Sequence, residues 1–163
     1  MKIKSGGQTG VDRAALDTAI ERGMEWGGWC PQGGWAEDLT EPPGLLARYP
    51  RLKETLSPNP LQRKEWNVRD SDAALIIIDN RGLVASIGTQ RAHRWARQHG
   101  KPELIVDTDD AQALVQATMW LHEQRKRFGP DMILSIGGPR ESEAPGIYLR
   151  AKLLIAAILD HAG

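Results

Sequence analysis

The sequence predicts a doubly wound α/β fold, in which a mainly parallel sheet carries helices on both faces. Segments 73–78 and 104–106 are continuously apolar with no polar alternation, and segment 132–136 is similar, with Ser135 as its one polar residue. Such runs are typical of strands buried on both faces, as in a parallel sheet covered by helices. Segments with a helical spacing of apolar residues alternate with these runs, and this alternation favours the doubly wound arrangement.

Two further strands and four helices complete the predicted fold. The strands are segment 2–5, which is weakly signalled, and segment 24–30, which is predicted despite its glycines. The spacing of apolar residues predicts helices over 11–22, 89–98, 110–128 and 145–161. Gly23 ends the first helix and Pro145 opens the last. The last helix is apolar almost all round, which is typical of a central helix or of one at a subunit interface.

Residues 31–67 fit neither a helical nor a strand period and are rich in proline. A long irregular segment inside a compact domain is often functional. We therefore interpret it as an ordered excursion over the sheet edge and not as a linker between domains. The chain, residues 1–163, is then a single domain, which suits its length.

Composition limits the classes of function. Lys and Arg number 21 and Asp and Glu number 21, so the formal net charge is zero. A zero net charge argues against general binding of nucleic acid or of anionic membranes, although a local basic patch is compatible with it. The single cysteine excludes an internal disulfide and fits a reducing compartment. With no signal-peptide core and no apolar run of roughly 18 residues, we expect a cytoplasmic protein.

Chemistry is predicted first at SGGQTGVD, residues 5–12, between a strand and a helix. Glycines there let backbone N–H groups approach a ligand, and the helix N-terminus favours a phosphate. The alternative is a tight turn in which Thr9 or Asp12 caps the helix. The motif is neither a dinucleotide fingerprint nor a P-loop.

Two more loops follow the same pattern of strand, glycine and helix. Residues 79–89 end in Gly88 and Thr89, which resemble a phosphate-holding turn, the alternative being a long loop with Thr89 as N-cap. Residues 137–142 begin with a glycine pair and contain Arg140, whose fork suits phosphate or carboxylate unless it pairs with a surface glutamate. Parallel strands end at one sheet edge, so the three loops are expected to meet where α/β sheets bind ligands.

Other polar groups favour structural roles. Asp70 and Asp72 precede a strand and so belong at the opposite edge of the sheet, as turn or cap residues. Cys30, between a tryptophan and a proline, is interpreted as a buried inert thiol. The four histidines have no ligand-like spacing, so no metal site is predicted.

Four motifs carry a resemblance to a known family: SGGQTGVDRAALDTA, GGWCPQGGWAEDL, NVRDSDAALI and GGPRESEAPGIY. In this order, and over nearly the whole chain, the sequence resembles the molybdenum carrier protein family, a circularly permuted branch of the SLOG superfamily. The resemblance implies a Rossmann-like, doubly wound α/β fold and a site for a nucleotide-like or molybdopterin-like phosphate ligand. The site residues that it implies are Gly6, Gly7, Gln8, Thr9, Gly10, Asp12, Gly88, Thr89, Gly138, Pro139 and Arg140.

The chain departs from the family pattern at two places. Gly34 and Trp35 stand where relatives tend to carry a basic residue, and Ile87 stands where a second glycine is common. We expect both departures to alter what the pocket accepts.

A sister branch, the nucleoside-monophosphate phosphoribohydrolases, supplies an enzyme alternative. Its Arg-Lys pair before the buried strand is matched here by Arg63 and Lys64, but its catalytic glutamate is replaced by Ala92. Cleavage of an N-glycosidic bond needs a carboxylate to stabilise the oxocarbenium-like charge. The enzyme would therefore require another carboxylate in that place, the candidates being Asp38, Asp70 and Glu141.

The function expected is that of a carrier or sensor for a small phosphorylated, ring-bearing ligand, with molybdenum cofactor and a nucleotide as the candidates. Residues 6–10 and Gly137 to Arg140 would hold phosphate, Thr89 and Arg63 would assist, and Asp12 would orient the first loop. The alternatives are the phosphoribohydrolase-like enzyme and an interaction module without a small ligand. Copies are expected to associate through the apolar last helix as a homo-oligomer.

Overall fold

The computed structural model describes residues 1–57 and 59–161, and within them one sheet of six strands forms the centre of the fold. The strands are β1 (Lys2–Lys4), β2 (Glu25–Cys30), β3 (Leu52–Glu54), β4 (Ala73–Ile78), β5 (Glu103–Asp107) and β6 (Ile133–Gly137). They lie in the order β3-β2-β1-β6-β4-β5, and every pairing between them is parallel. The predicted parallel α/β fold is confirmed.

Six helices connect or follow the strands in the described part of the chain. They are α1 (Val11–Glu21), α2 (Leu45–Arg48), α3 (Pro60–Arg69), α4 (Ile87–Gln98), α5 (Ala113–Phe128) and α6 (Ile147–His161). Single turns of 3-10 helix stand at Gln32–Gly34 and Leu83–Ala85. Within the described residues, no helix combines the length and apolar character that crossing a membrane requires.

The main core lies on one face of the sheet, between the strands and helices α1, α5 and α6. β4 supplies Leu75 and Ile77 to it, and α6 supplies Ile147, Ala151 and Ile155, all of them buried. On the opposite face α3 and α4 pack together over a smaller cluster that contains Val68, Ala74 and Ala96. Because β4 is apolar on both faces, its sequence shows the continuous apolar run that predicted it.

The division of helices between the two faces fixes the switch point of the sheet. β6 is followed by α6 on the first face, whereas its neighbour β4 is followed by α4 on the other. Neighbouring strands whose connections leave to opposite faces open a crevice at their carboxyl ends. This crevice is where the loops after β4 and β6 diverge.

The segment 31–67 is more regular than its sequence predicts. It contains α2, the edge strand β3 and most of α3. α3 begins with Asn59, whose side chain accepts from the amide of Leu61, and with Pro60 in the first turn. The sequence does not predict β3, because three residues are too few to show an alternating pattern. They form a strand because they pair with β2.

Candidate functional site

The loops after β1, β4 and β6 meet at the switch point and enclose an open cleft with a volume of about 530 Å³. We call it the switch-point cleft. It is lined by Gln8, Trp35, Asn59, Pro60, Leu61, Arg63, Lys64, Val84, Ala85, Ile87, Gly88, Arg140 and Glu143. Gln8, Arg63, Gly88 and Arg140 are among the predicted site residues, and they come from four separate segments of the chain.

Gln8 ties the first loop to the segment that follows β2. Its side-chain oxygen accepts from the backbone amides of Thr9 and Glu37, each at 3.0 Å. The side chain is buried at the cleft wall. With its oxygen engaged in this way, the amide nitrogen is the polar group that Gln8 offers to the cleft.

The glycines of the predicted phosphate loops serve close packing of the loops. A Cβ on Gly6 would stand 1.8 Å from the Nη1 atom of Arg63. A Cβ on Gly10, where φ is +78°, would stand 2.3 Å from the carbonyl oxygen of Pro139. Gly138 is equally confined, because its Cβ would stand 2.2 Å from the carbonyl oxygen of Ile77. The glycines therefore let the first loop pack closely against α3 and the loop after β6, and let that loop pack against β4.

Arg63 and Asp12 form a buried ion pair beneath the first loop. The Nη1 atom of Arg63 donates to Oδ2 of Asp12 at 2.6 Å, and the two side chains are almost completely buried. Within the described residues the Nε atom of Arg63 has no hydrogen-bond partner. Asp12 does not cap α1, whose N-cap is Gly10 with no side-chain cap bond. The two predicted site residues thus fix each other below the cleft.

Lys64 is the cleft cation that sequence reasoning left out of the site. Its Nζ atom lies 3.3 Å from the carbonyl oxygen of Gly138, and its side chain packs against Gly88. Burial lowers the pKa of Lys64, a shift that Asp12 opposes. The sequence predicts Arg63 of the same dipeptide as the site residue, but the phase of α3 turns it towards the ion pair with Asp12.

Arg140 borders the same cleft as Lys64 and lies between two glutamates. Its Nε atom lies 3.3 Å from Oε1 of Glu143, and its Nη1 atom lies 3.7 Å from Oε2 of Glu37. The same Oε1 atom of Glu143 accepts from the Arg140 amide at 2.9 Å and from the Ser86 hydroxyl at 3.1 Å. Arg140 keeps 40% of its side chain exposed, so the guanidinium is open to a ligand.

The second predicted loop presents the start of α4 to the cleft. Ser86 is the N-cap, and its hydroxyl accepts from the amide of Thr89 at 3.2 Å. The alternative of Thr89 as N-cap is therefore wrong, since Thr89 lies in the first turn and is buried with its hydroxyl bonded to Ser86. Gly88 borders the cleft beside the exposed Ile87.

The carboxylates proposed to replace the missing glutamate lie elsewhere. Asp38 accepts two hydrogen bonds from the guanidinium of Arg13. Asp70 lies at the C-terminal end of α3. Glu141 accepts from backbone amides at the start of α6. Ala92 borders a cavity of only about 30 Å³ beside Asp12. Glu143 is the carboxylate that lines the switch-point cleft.

The remaining predicted groups take structural positions. Asp70 and Asp72 lie before β4, and Oδ2 of Asp72 accepts from the amide of Ile133 at 2.7 Å. Burial raises the pKa of Cys30 to about 11, so this thiol stays protonated. Among residues 1–57 and 59–161, no three His, Cys, Asp or Glu side chains are grouped so as to hold a metal ion.

An all-parallel sheet with helices on both faces and a cleft of glycine-containing loops at its switch point defines a Rossmann-like α/β protein. The family model described as the circularly permutated YpsA SLOG family matches residues 3–159. Because this match spans nearly all of the sequence, the chain belongs to that family.

One solved structure is closely similar. It is the crystal structure of a protein named "Putative molybdenum carrier protein" from Syntrophus aciditrophicus SB, with 37% sequence identity and a TM-score of 0.83. The alignment covers 97% of the present chain and 94% of that protein. No protein with a curated description matches this chain.

Proposed function

We propose that the protein binds a small phosphorylated, ring-bearing ligand in the switch-point cleft and acts as its carrier or sensor. One observation carries this proposal: two cations from different segments, Lys64 and Arg140, border one cleft together with the start of α4. Its volume of about 530 Å³ falls within the range of small-molecule sites.

The lining of the cleft offers both polar and apolar groups, which suit the two halves of such a ligand. Lys64, Arg140 and the amides at the α4 N-terminus supply positive charge and donors for a phosphate. Leu61, Ile87 and Trp35 also line the cleft and supply apolar surface, against which a planar ring can pack.

Molybdenum cofactor and a nucleotide are the two proposed ligands. The name of the similar protein from Syntrophus aciditrophicus favours the first, and molybdopterin also has the phosphate and ring that this cleft suits. A nucleotide carries the same two groups, and the location at the switch point is the usual one for it in α/β sheets. The cytoplasmic location predicted from the sequence would suit either ligand.

The binding test is isothermal titration of the wild type with AMP, ADP, GMP and molybdopterin. At least one should bind more tightly than about 1 mM. Lys64→Gln and Arg140→Gln should each weaken that ligand about tenfold or more, because a hydrogen bond between charged groups contributes roughly 1.5–3 kcal/mol. Lys126→Gln, on the exposed side of α5, should leave the Kd unchanged. If all four ligands fail to bind below about 1 mM, the proposal is wrong.

The same ligands test the enzyme alternative. Glu143 already accepts hydrogen bonds from Arg140 and Ser86, and Ala92 supplies no carboxylate. We therefore expect nucleoside monophosphates incubated with the pure protein to release no free base. Release that Glu143→Gln abolishes would instead favour the hydrolase.

A further inference from the structure

The carboxylate of Glu37 is held by donors from two other loops. Thr9 donates its hydroxyl to Oε1, and Ser142 donates its hydroxyl to Oε2 at 2.6 Å. The backbone amide of Ser142 also donates to Oε1 at 3.3 Å, and the Arg140 guanidinium lies 3.7 Å from Oε2. Two hydroxyls, one amide and one guanidinium thus converge on one acidic group, which belongs to the segment after β2.

This donor set is of the kind that binds a phosphoryl group. Hydroxyls, a backbone amide and an arginine fork are the groups with which proteins hold phosphate oxygens. The Thr9 hydroxyl also accepts from the amide of Glu141 at 3.1 Å, which leaves its proton directed to Glu37. Burial raises the pKa of Glu37, but the hydrogen bonds from Ser142 and Thr9 outweigh it and lower the pKa overall. Glu37 is therefore an anion in a site of donors.

Glu37 also stands between two cavities. Arg140 borders the switch-point cleft, whereas Thr9, Glu37 and Ser142 border a second open cavity of about 700 Å³ on the side of α1 and α6. The Glu37 carboxylate and its donors form the partition. A ligand whose phosphate reached past Arg140 from the cleft would meet the negative charge of Glu37 first.

We propose that Thr9, Arg140 and Ser142 form an anion subsite that the Glu37 carboxylate occupies in the free protein and that a phosphoryl group of the ligand takes by displacing it. This inference rests on the proposed function, because it assigns the phosphate end of that ligand. Glu37 acts as an internal competitor, and the measured affinity is the intrinsic affinity multiplied by the fraction of molecules in which the subsite is free. When the ligand displaces Glu37, the Glu37 carboxylate is exposed to water.

Titration with inorganic pyrophosphate tests this subsite without a ring. Glu37→Ala removes the competitor and its charge, and Glu37→Gln removes the charge alone. Each should bind pyrophosphate about tenfold or more tightly than the wild type. Glu41→Gln is the matched control, an exposed glutamate in the same segment, and it should bind as the wild type does. Adding Ser142→Ala to Glu37→Ala should reverse the gain, since it removes a donor.

The opposite outcome is equally clear. If Glu37 serves only to fasten the loops, both variants bind pyrophosphate as weakly as the wild type or more weakly, and the inference is overturned. Thermal unfolding of each variant shows whether it is folded, and Glu37→Gln keeps the shape of the side chain. A gain for pyrophosphate with no binding of any nucleotide or of molybdopterin would keep the subsite and reject the proposed function. Nucleotide binding by the wild type, with no tighter binding of pyrophosphate by the Glu37 variants, would support the proposed function and reject the subsite.

Discussion

Replacing Gly6 by alanine tests whether the first loop is built around the buried ion pair. The new Cβ would stand 1.8 Å from Nη1 and 2.9 Å from Cζ of Arg63, so the guanidinium has to move. Arg63 is only 1% exposed, and its 2.6 Å bond to Asp12 is lost when it moves. Breaking a buried pair costs about 3–5 kcal/mol, a large part of the roughly 5–15 kcal/mol by which a domain is stable.

Urea unfolding followed by tryptophan fluorescence measures this cost directly. We expect Gly6→Ala to lower the free energy of unfolding by about 3–5 kcal/mol and the Tm by roughly 6–20 °C. Gly27→Ala is the control: its nearest non-adjacent atom is 3.5 Å away and its φ is not positive, so it should be neutral or stabilising by up to about 1 kcal/mol. In an Arg63→Ala, Asp12→Asn background, Gly6→Ala should cost less than about 1 kcal/mol. A Gly6→Ala cost that is small in the wild type, or unchanged in that background, would refute the reasoning.

Three further predictions concern pH, the thiol and association. The Arg81 guanidinium lowers the pKa of Asp79 in the folded protein. The stability that this pair contributes is therefore fully present above the pKa of an aspartate in the unfolded chain, which is about 4. That stability is lost as the pH falls through the lower pKa of the folded state. Urea unfolding should show that the free energy of unfolding decreases below about pH 4, and that it decreases less in Asp79→Asn. Iodoacetamide near pH 7 should modify Cys30 only in urea, because burial raises its pKa to about 11, and rapid reaction of the folded protein would contradict this. Leu149 and Leu153 of α6 are exposed, so we expect copies of the chain to associate through them. Light scattering should show a homo-oligomer that the Leu153→Glu substitution dissociates. A monomeric wild type would contradict this prediction.

The parts of the fold that the sequence predicts are those whose pattern is local. β4 is recognisable because it is apolar on both faces, and α1 because Gly23 follows its last turn. α3 was missed because its buried residues include Arg63 and Asn67. A helix that buries polar groups shows no apolar stripe, since the partners that satisfy those groups come from distant segments.

The location of the candidate cleft could be predicted from the sequence, but which residues face it and which are buried beside it could not. Glycine after a strand and before a helix indicated three loops, and Gln8, Gly88 and Arg140, one from each of them, line the switch-point cleft. Whether Arg63 or Lys64 faces the cleft depends on the phase of α3, which only packing sets. The hydrogen bonds from Thr9 and Ser142 to Glu37 could not be predicted from the sequence, because they join three loops that are separated along the chain.

Amide NMR of the labelled protein with the tightest-binding nucleotide or molybdopterin tests the central claim most directly. If the switch-point cleft is the site, shifts should be confined to residues 6–10, 59–64, 84–89 and 137–143 and to the indole of Trp35. Shifts centred instead on Asp17 and Tyr148, in the second cavity, would contradict it.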